Sequence, residues 1–223
     1  ARIDTVKQPY VSHETGQWCV FPNFNEIRKY TGVNKAKNFE IFRDILNDNH
    51  MGGQSYDFMM ASGKLQALCY KHEIEKTLRT PDYAGFQLLA LNDYSGQGTA
   101  LVGVLDVFFE EKGYINAEQF RRFCSPTGPL ARIPKFVYAN DETFHADIEV
   151  SHFGAAPLQG AKTSYTIKDK FGKVYAKGTV GTQTIPIGNL CALGSVDMSL
   201  KGIDTPQKLN LEVCIEGSDA VND

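Results

Sequence analysis

The pattern of apolar residues changes near residue 129, and this change limits the folds that the chain can adopt. Before it, short apolar runs alternate with stretches such as 35–47 and 55–80, in which apolar residues recur every three or four positions. After it, apolar and polar residues alternate between turns rich in Gly, Asn and Asp. We therefore expect an α/β domain over 1–128 and an all-β domain over 129–223.

Composition excludes several classes of function. The 223 residues include 23 basic and 26 acidic side chains, a net charge of -3, without the positive excess needed to bind a phosphate backbone. No apolar run approaches the roughly 18 residues of a membrane-spanning helix. We expect neither nucleic acid nor a membrane as a partner. The five cysteines are scattered, so we expect free thiols rather than a zinc site, with Cys191 and Cys214 the best pair for a disulfide.

The first domain contains few candidate strands. Residues 9–12 predict a short strand that ends near Glu14, and residues 84–91, apolar on both faces, predict a strand buried on both sides. Helices are expected at 25–30, 35–47, 55–80 and 116–124. This order of strand, helices, strand and helix has too few strands to close a barrel by itself.

The second domain resembles a sandwich in its spacing of turns. Strands are expected at 136–138, 144–150, 164–167, 173–176, 194–200 and 208–215. Six or seven short strands within about 90 residues fit an immunoglobulin-like β-sandwich.

One carboxylate stands where the first strand is expected to end. Glu14 at such a position can act as a nucleophile or base, while His13 and Gln17 can donate hydrogen bonds to hydroxyl groups. Trp18 can stack against a sugar ring. The structural alternative is that Glu14 caps a helix or pairs with Arg28.

A second group of polar residues follows the buried strand 84–91. Asn92, Asp93 and Gln97 come after its apolar run, and Asp93 either binds sugar hydroxyls or caps the turn at 95–98. If a helical crossover joins the two strands, their ends lie side by side on one rim.

Other candidates are weaker. Glu26 follows Asn25, a dipeptide that some glycosidases use for their acid, but its place at an expected helix start favours a helix-dipole role. The histidines lack metal-binding spacing and the glycines form no phosphate loop, so we expect neither a metal nor a cofactor.

Several segments together resemble bacterial glycoside hydrolase family 2, the β-galactosidase and β-glucuronidase type. They are His13 to Trp18, 22–24, 38–43, 85–89 and 96–103. The resemblance covers about 11–122 and implies the last strands of a TIM barrel, followed by an immunoglobulin-like domain. It further implies that Glu14 is the catalytic nucleophile and that His13, Trp18 and Asp93 line the sugar subsite.

The chain also departs from that family. Nothing matches the context of the family's acid/base glutamate, barrel strands one to six are absent, and Leu89, Leu91 and Asn92 stand where the best-known β-galactosidases carry tryptophan. The resemblance therefore implies the C-terminal piece of a larger, extracytoplasmic bacterial enzyme.

We expect a fragment of a retaining glycosidase that is inactive in isolation. Its expected partners are a carbohydrate substrate, the remainder of the parent chain and a second copy in a homo-oligomer. The alternative is a non-catalytic carbohydrate-binding or structural module.

Overall fold

The computed structural model describes residues 5, 7–94 and 101–223, and the chain divides into two compact units. The α/β unit comprises Val6–Thr77 and Tyr83–Phe120, and the sandwich unit comprises Ala1–Thr5, Leu78–Asp82 and Arg121–Asp223. Within the described ranges, no helix combines the length and apolarity needed to span a bilayer.

Helices and one pair of strands dominate the first half of the chain. Its elements are β1 (Tyr10–Thr15), a 3-10 helix (Phe24–Lys29), α1 (Lys37–Asp48), a 3-10 turn (Gly52–Gln54), α2 (Ser55–Leu78), β2 (Tyr83–Leu88) and α3 (Ala117–Phe123). Side chains of Asn116 and Gln119 each accept a hydrogen bond from the other residue's amide at the start of α3. This capping box satisfies two amides that the helix leaves free.

The two strands of the α/β unit pair in parallel. Tyr10 lies opposite Tyr83 and Thr15 opposite Leu88, and the Leu89 amide donates to the Thr15 carbonyl at 2.9 Å. The carboxyl ends of β1 and β2 therefore lie at the same edge of this sheet.

Two antiparallel sheets form the sandwich unit. One has the order β3–β4–β7 and the other β6–β5–β8–β9. The strands are β3 (Thr127–Arg132), β4 (Thr143–His152), β5 (Leu158–Asp169), β6 (Val174–Ile185), β7 (Gly188–Ser199), β8 (Leu209–Ile215) and β9 (Val221–Asn222). Their inward residues, among them Ile148, Val150, Ile167, Val196 and Val213, form one core. The expected all-β, sandwich-like second half is confirmed, whereas the α/β unit by itself does not show a partial barrel.

Some expected elements differ from those observed. Residues 136–138 form no strand, because Phe136 and Val137 are 88% and 83% exposed and lie outside both sheets. Strand β3 was not expected since it contains Pro129, which is tolerated because β3 is an edge strand. β7 begins at Gly188, not at residue 194.

The first helix also differs from its expectation. It is a 3-10 helix over Phe24–Lys29, and its cap is Asn23, whose side chain accepts from the Asn25 amide at 3.1 Å. All five cysteines are free, so Cys191 and Cys214 form no disulfide.

Candidate active site

The candidate site lies in the α/β unit, where β1 and β2 end. β1 delivers His13 and Glu14 to this edge, and the chain after β2 delivers Asn92 and Asp93. After β2, Asn92 forms an isolated parallel bridge with Leu105, which lies outside both strands. Of the polar residues singled out in the sequence, His13 and Glu14 thus lie near the end of β1, and Asn92 and Asp93 follow its parallel neighbour β2.

Glu14 has an unusual backbone conformation for its residue type. Its φ of 54° lies in the left-handed region, which few residues other than glycine adopt. Its side chain is 51% exposed and makes no ion pair with Arg28 within the described residues. Strain of this kind concentrates at functional sites, because the surrounding structure must hold it in place.

Neighbouring side chains hold the Glu14 carboxylate. Gln17 donates to one carboxylate oxygen at 3.2 Å, and His13 Nε2 lies 3.8 Å from the other. His13 Nδ1 lies 3.0 Å from the side-chain oxygen of Gln87 on β2. A chain of side-chain contacts therefore runs from β2 through His13 to Glu14, with a hydrogen bond at Gln87 and an ion-pair distance at Glu14.

Two hydrogen bonds position Trp18, one to its side chain and one to its backbone. Its indole nitrogen donates to Glu73 at 3.2 Å, and its carbonyl accepts from Gln66 at 2.7 Å. The side chain is 46% exposed, which leaves a face of the indole available to a ligand.

Gly16 fixes the turn between Glu14 and Trp18. Its φ is +87°, and a Cβ atom there would lie 2.0 Å from Cε1 of Tyr70. The Tyr70 hydroxyl donates to the Gly16 carbonyl at 3.0 Å, and burial raises the pKa of that hydroxyl to about 12. Glycine is thus the residue that lets Tyr70 support this turn.

Asp93 is buried, which separates it from the other candidates. Its side chain pairs with Lys112 at 2.5 Å and accepts from the Gly103 amide at 2.8 Å. Burial raises its pKa, while Lys112 and the Gly103 amide act in the opposite direction. This geometry favours a structural role, with Lys112 as the partner of Asp93. The turn expected at 95–98 lies outside the described residues.

Asn92 and Gln97 are the remaining candidate residues of this segment. Asn92 is half-buried, and its amide donates to the Asp93 carbonyl at 2.8 Å. Gln97 lies outside the described residues.

Glu26 is a further candidate, to which the sequence analysis gave little weight. It is 1% exposed, and neither carboxyl oxygen has a hydrogen-bond partner among the described residues. Burial, together with the charges of Asp106 and Asp93, raises its pKa to about 7 against the opposing effects of Lys112 and Lys29. Only the Asn25–Glu26 dipeptide pointed to it in the sequence.

The arrangement offers an exposed carboxylate, hydrogen-bond donors and an indole face at one edge. A carboxylate of this kind can act as a nucleophile, and the donors and the indole face can orient a hydroxylated ring. No cluster of metal-binding side chains occurs in the part of the chain that the structure describes.

Comparison with sequence families gives one match. Residues 142–223 match the model of a domain of unknown function, DUF8488. Among curated proteins, none matches this chain.

Solved structures of three proteins are similar to this chain to different extents. The β-D-mannosidase of Dictyoglomus thermophilum matches with a TM-score of 0.60 and 17% identity over 96% of this chain, which spans 26% of the mannosidase. The exo-chitosanase of Amycolatopsis orientalis matches with a TM-score of 0.42 and 12% identity, over 82% of this chain and 21% of the chitosanase. The β-glucuronidase of Parabacteroides merdae matches with a TM-score of 0.31 and 14% identity, over 43% of this chain and 13% of the glucuronidase. At such identities the mannosidase match shows a shared fold.

Proposed function

We propose that this chain is the C-terminal part of a family 2, β-galactosidase-like retaining glycosidase, and that Glu14 is its nucleophile. Residues 1–128 would supply the last strands of a (β/α)8 barrel and 129–223 an immunoglobulin-like sandwich. The observation that carries the proposal is the exposed, strained Glu14 at the carboxyl end of a parallel strand, where α/β barrels place their catalytic groups.

The proposed chemistry has two steps. A Glu14 oxygen forms a bond to the anomeric carbon while the glycosidic C–O bond breaks, and the departing oxygen takes a proton from a second carboxyl group. In the second step a water oxygen forms a bond to the anomeric carbon and gives its proton to the second carboxylate, while the bond between the sugar and Glu14 breaks. The second carboxyl group must lie about 5–5.5 Å from the first, and we assign it to the rest of the parent chain.

Other residues would bind the sugar. Gln17 donates to the Glu14 carboxylate and His13 lies beside it, and we propose both as hydrogen-bond partners of sugar hydroxyl groups. Trp18, which is 46% exposed, would offer its indole face. Asn92 and Gln97 are proposed as further hydroxyl ligands. We propose Asp93 as a positioning residue, because its buried carboxylate is already paired.

The fold match supports the proposal in one further way. This chain covers about a quarter of the mannosidase, so an enzyme of that size has room for the missing strands and the second carboxyl group. A carbohydrate substrate, the remainder of the parent chain and a homo-oligomer are the proposed partners.

Substitution of Glu14 in the intact gene product tests the proposal. Glu14→Gln should lower kcat on an aryl β-glycoside by roughly 10⁴-fold, because the amide is a poor nucleophile. Glu118→Gln, at an exposed glutamate of α3, is the control and should retain activity. Full activity of folded Glu14→Gln would refute the nucleophile and favour a binding or structural module.

A further inference from the structure

The sandwich unit contains a cavity of about 540 Å³ between its two sheets. Phe144 and Met198 line it from one sheet, and Ile167, Leu209 and Leu211 line it from the other. Its volume lies within the roughly 300–1,000 Å³ of small-molecule sites. The cavity is separate from the candidate active site, since all of its lining residues belong to the sandwich unit.

One polar group among the lining residues lacks a partner. The Tyr138 hydroxyl is buried without a hydrogen bond among the described residues, although the ring contacts Phe144 at a centroid distance of 5.6 Å. A buried hydroxyl without a partner has lost its hydrogen bonds to water, so a ligand oxygen that pairs with it removes part of that penalty. 

The charged side chain beside Tyr138 is already engaged. Lys135 pairs with Glu142, and its ammonium lies 4.8 Å from the centre of the Tyr138 ring. Asp204 adds a negative charge to the lining. These charges disfavour an anionic ligand.

Phe136 lines the cavity while remaining 88% exposed. An aromatic side chain held in water at the mouth of an apolar cavity gains free energy when it lies against an apolar ligand. Val137, its neighbour, is 83% exposed and does not line the cavity.

We propose that this cavity binds a neutral small molecule with an apolar body and one hydrogen-bonding oxygen. The Tyr138 hydroxyl donates to that oxygen, and Phe136 packs against the apolar body at the mouth. The site does not depend on the proposed glycosidase activity.

Fluorescence titration of the 223-residue chain with prodan tests this proposal. Prodan is a neutral naphthalene with one ketone oxygen, and its emission reports both apolar surroundings and hydrogen bonding to that oxygen. Phe136→Ala should weaken its binding by about fivefold or more, because the mouth loses its apolar cover. Phe171→Ala is the matched control, since Phe171 is 84% exposed and lies outside the cavity lining.

A second pair of variants tests the hydrogen bond. Tyr138→Phe should weaken prodan binding about three- to tenfold and shift the bound emission to the blue, whereas Tyr165→Phe, outside the lining, should change neither. Equal prodan affinity in Phe136→Ala, Phe171→Ala and the wild type would overturn the proposal. So would an unchanged affinity and emission in Tyr138→Phe.

Discussion

Glu26 couples the stability of the α/β unit to pH. Its folded pKa of about 7 lies above its ordinary value of 4.5, so the folded state binds more protons between these values. The contribution of Glu26 to the free energy of unfolding is therefore fully present below about pH 4.5. It is lost as the pH rises through 7, and the total loss is about 3 kcal/mol.

Glu26→Gln should remove this dependence, because the amide carries no charge at either pH. Urea unfolding at pH 5 and pH 8 gives the free energy of unfolding of the variant and of the wild type. Contributions of other titrating groups cancel when the two proteins are compared. Identical pH dependence in the two proteins would show that Glu26 is not the group responsible.

Gly16 offers a second test at this scale. Gly16→Ala should destabilise the chain by about 2–3 kcal/mol, because the new methyl group would overlap the Tyr70 ring and φ is +87°. Gly32→Ala is the control, with no atom near its Cβ position, and should change stability by less than about 0.5 kcal/mol. Equal urea midpoints for the two variants would contradict the proposed packing.

Sequence patterns singled out the exposed candidate residues but not their buried partners. Glu14 was proposed because this carboxylate stands where the apolar run 9–12 is expected to end. Lys112, which pairs with Asp93 from nineteen positions away, has no local signal, since only the fold brings the two together. Glu26 does lie in the first turn of a helix, as expected, but its burial was missed because burial cannot be judged from neighbours in the chain.

Among the elements, the parallel sheet of β1 and β2 is the one whose exposure is most unusual for its type. Parallel strands are normally buried on both faces, yet Tyr10 and Val11 are 40% and 47% exposed and the sheet has two strands. In the sandwich unit, β4 and β5 each have neighbours on both sides.

Amides of β1 and β2 should therefore exchange with deuterium on the order of tenfold faster than those of β4 and β5. Hydrogen exchange followed by mass spectrometry on the 223-residue chain measures both sets in one experiment. Equal protection of the two sets would mean that the two-stranded sheet needs no further strands.

Element prediction succeeded where periodicity was long. The three- and four-residue spacing located α1 and α2 to within three residues at each end. It failed where a strand depends on pairing alone. β3 contains Gly128 and Pro129 yet pairs with β4, whereas the apolar run 136–138 has no partner strand.

At the scale of the molecule, the long helices expose apolar surface. The large exposed side chains are Ile41, Phe42, Ile45, Tyr56, Leu65 and Leu68. Under our proposal the rest of the parent enzyme covers part of this surface, so in its absence the chain should associate with itself.

Light scattering should therefore give a mass above 24.8 kDa at high protein concentration. Leu65→Glu combined with Leu68→Glu should lower that mass, because both side chains are about 60% exposed on α2. Phe171→Glu, at an exposed phenylalanine of the sandwich unit, is the control. A monomer at all concentrations would contradict this expectation.

The central claim is that Glu14 is the nucleophile of a retaining glycosidase. The most direct test treats the intact gene product with a panel of 2-fluoro glycosyl fluorides and locates the adduct by peptide mass spectrometry. We predict a covalent sugar on the peptide that contains Glu14, and the reactive member of the panel would identify the sugar. A folded, full-length protein that forms no adduct, or forms one on another peptide, would contradict the claim.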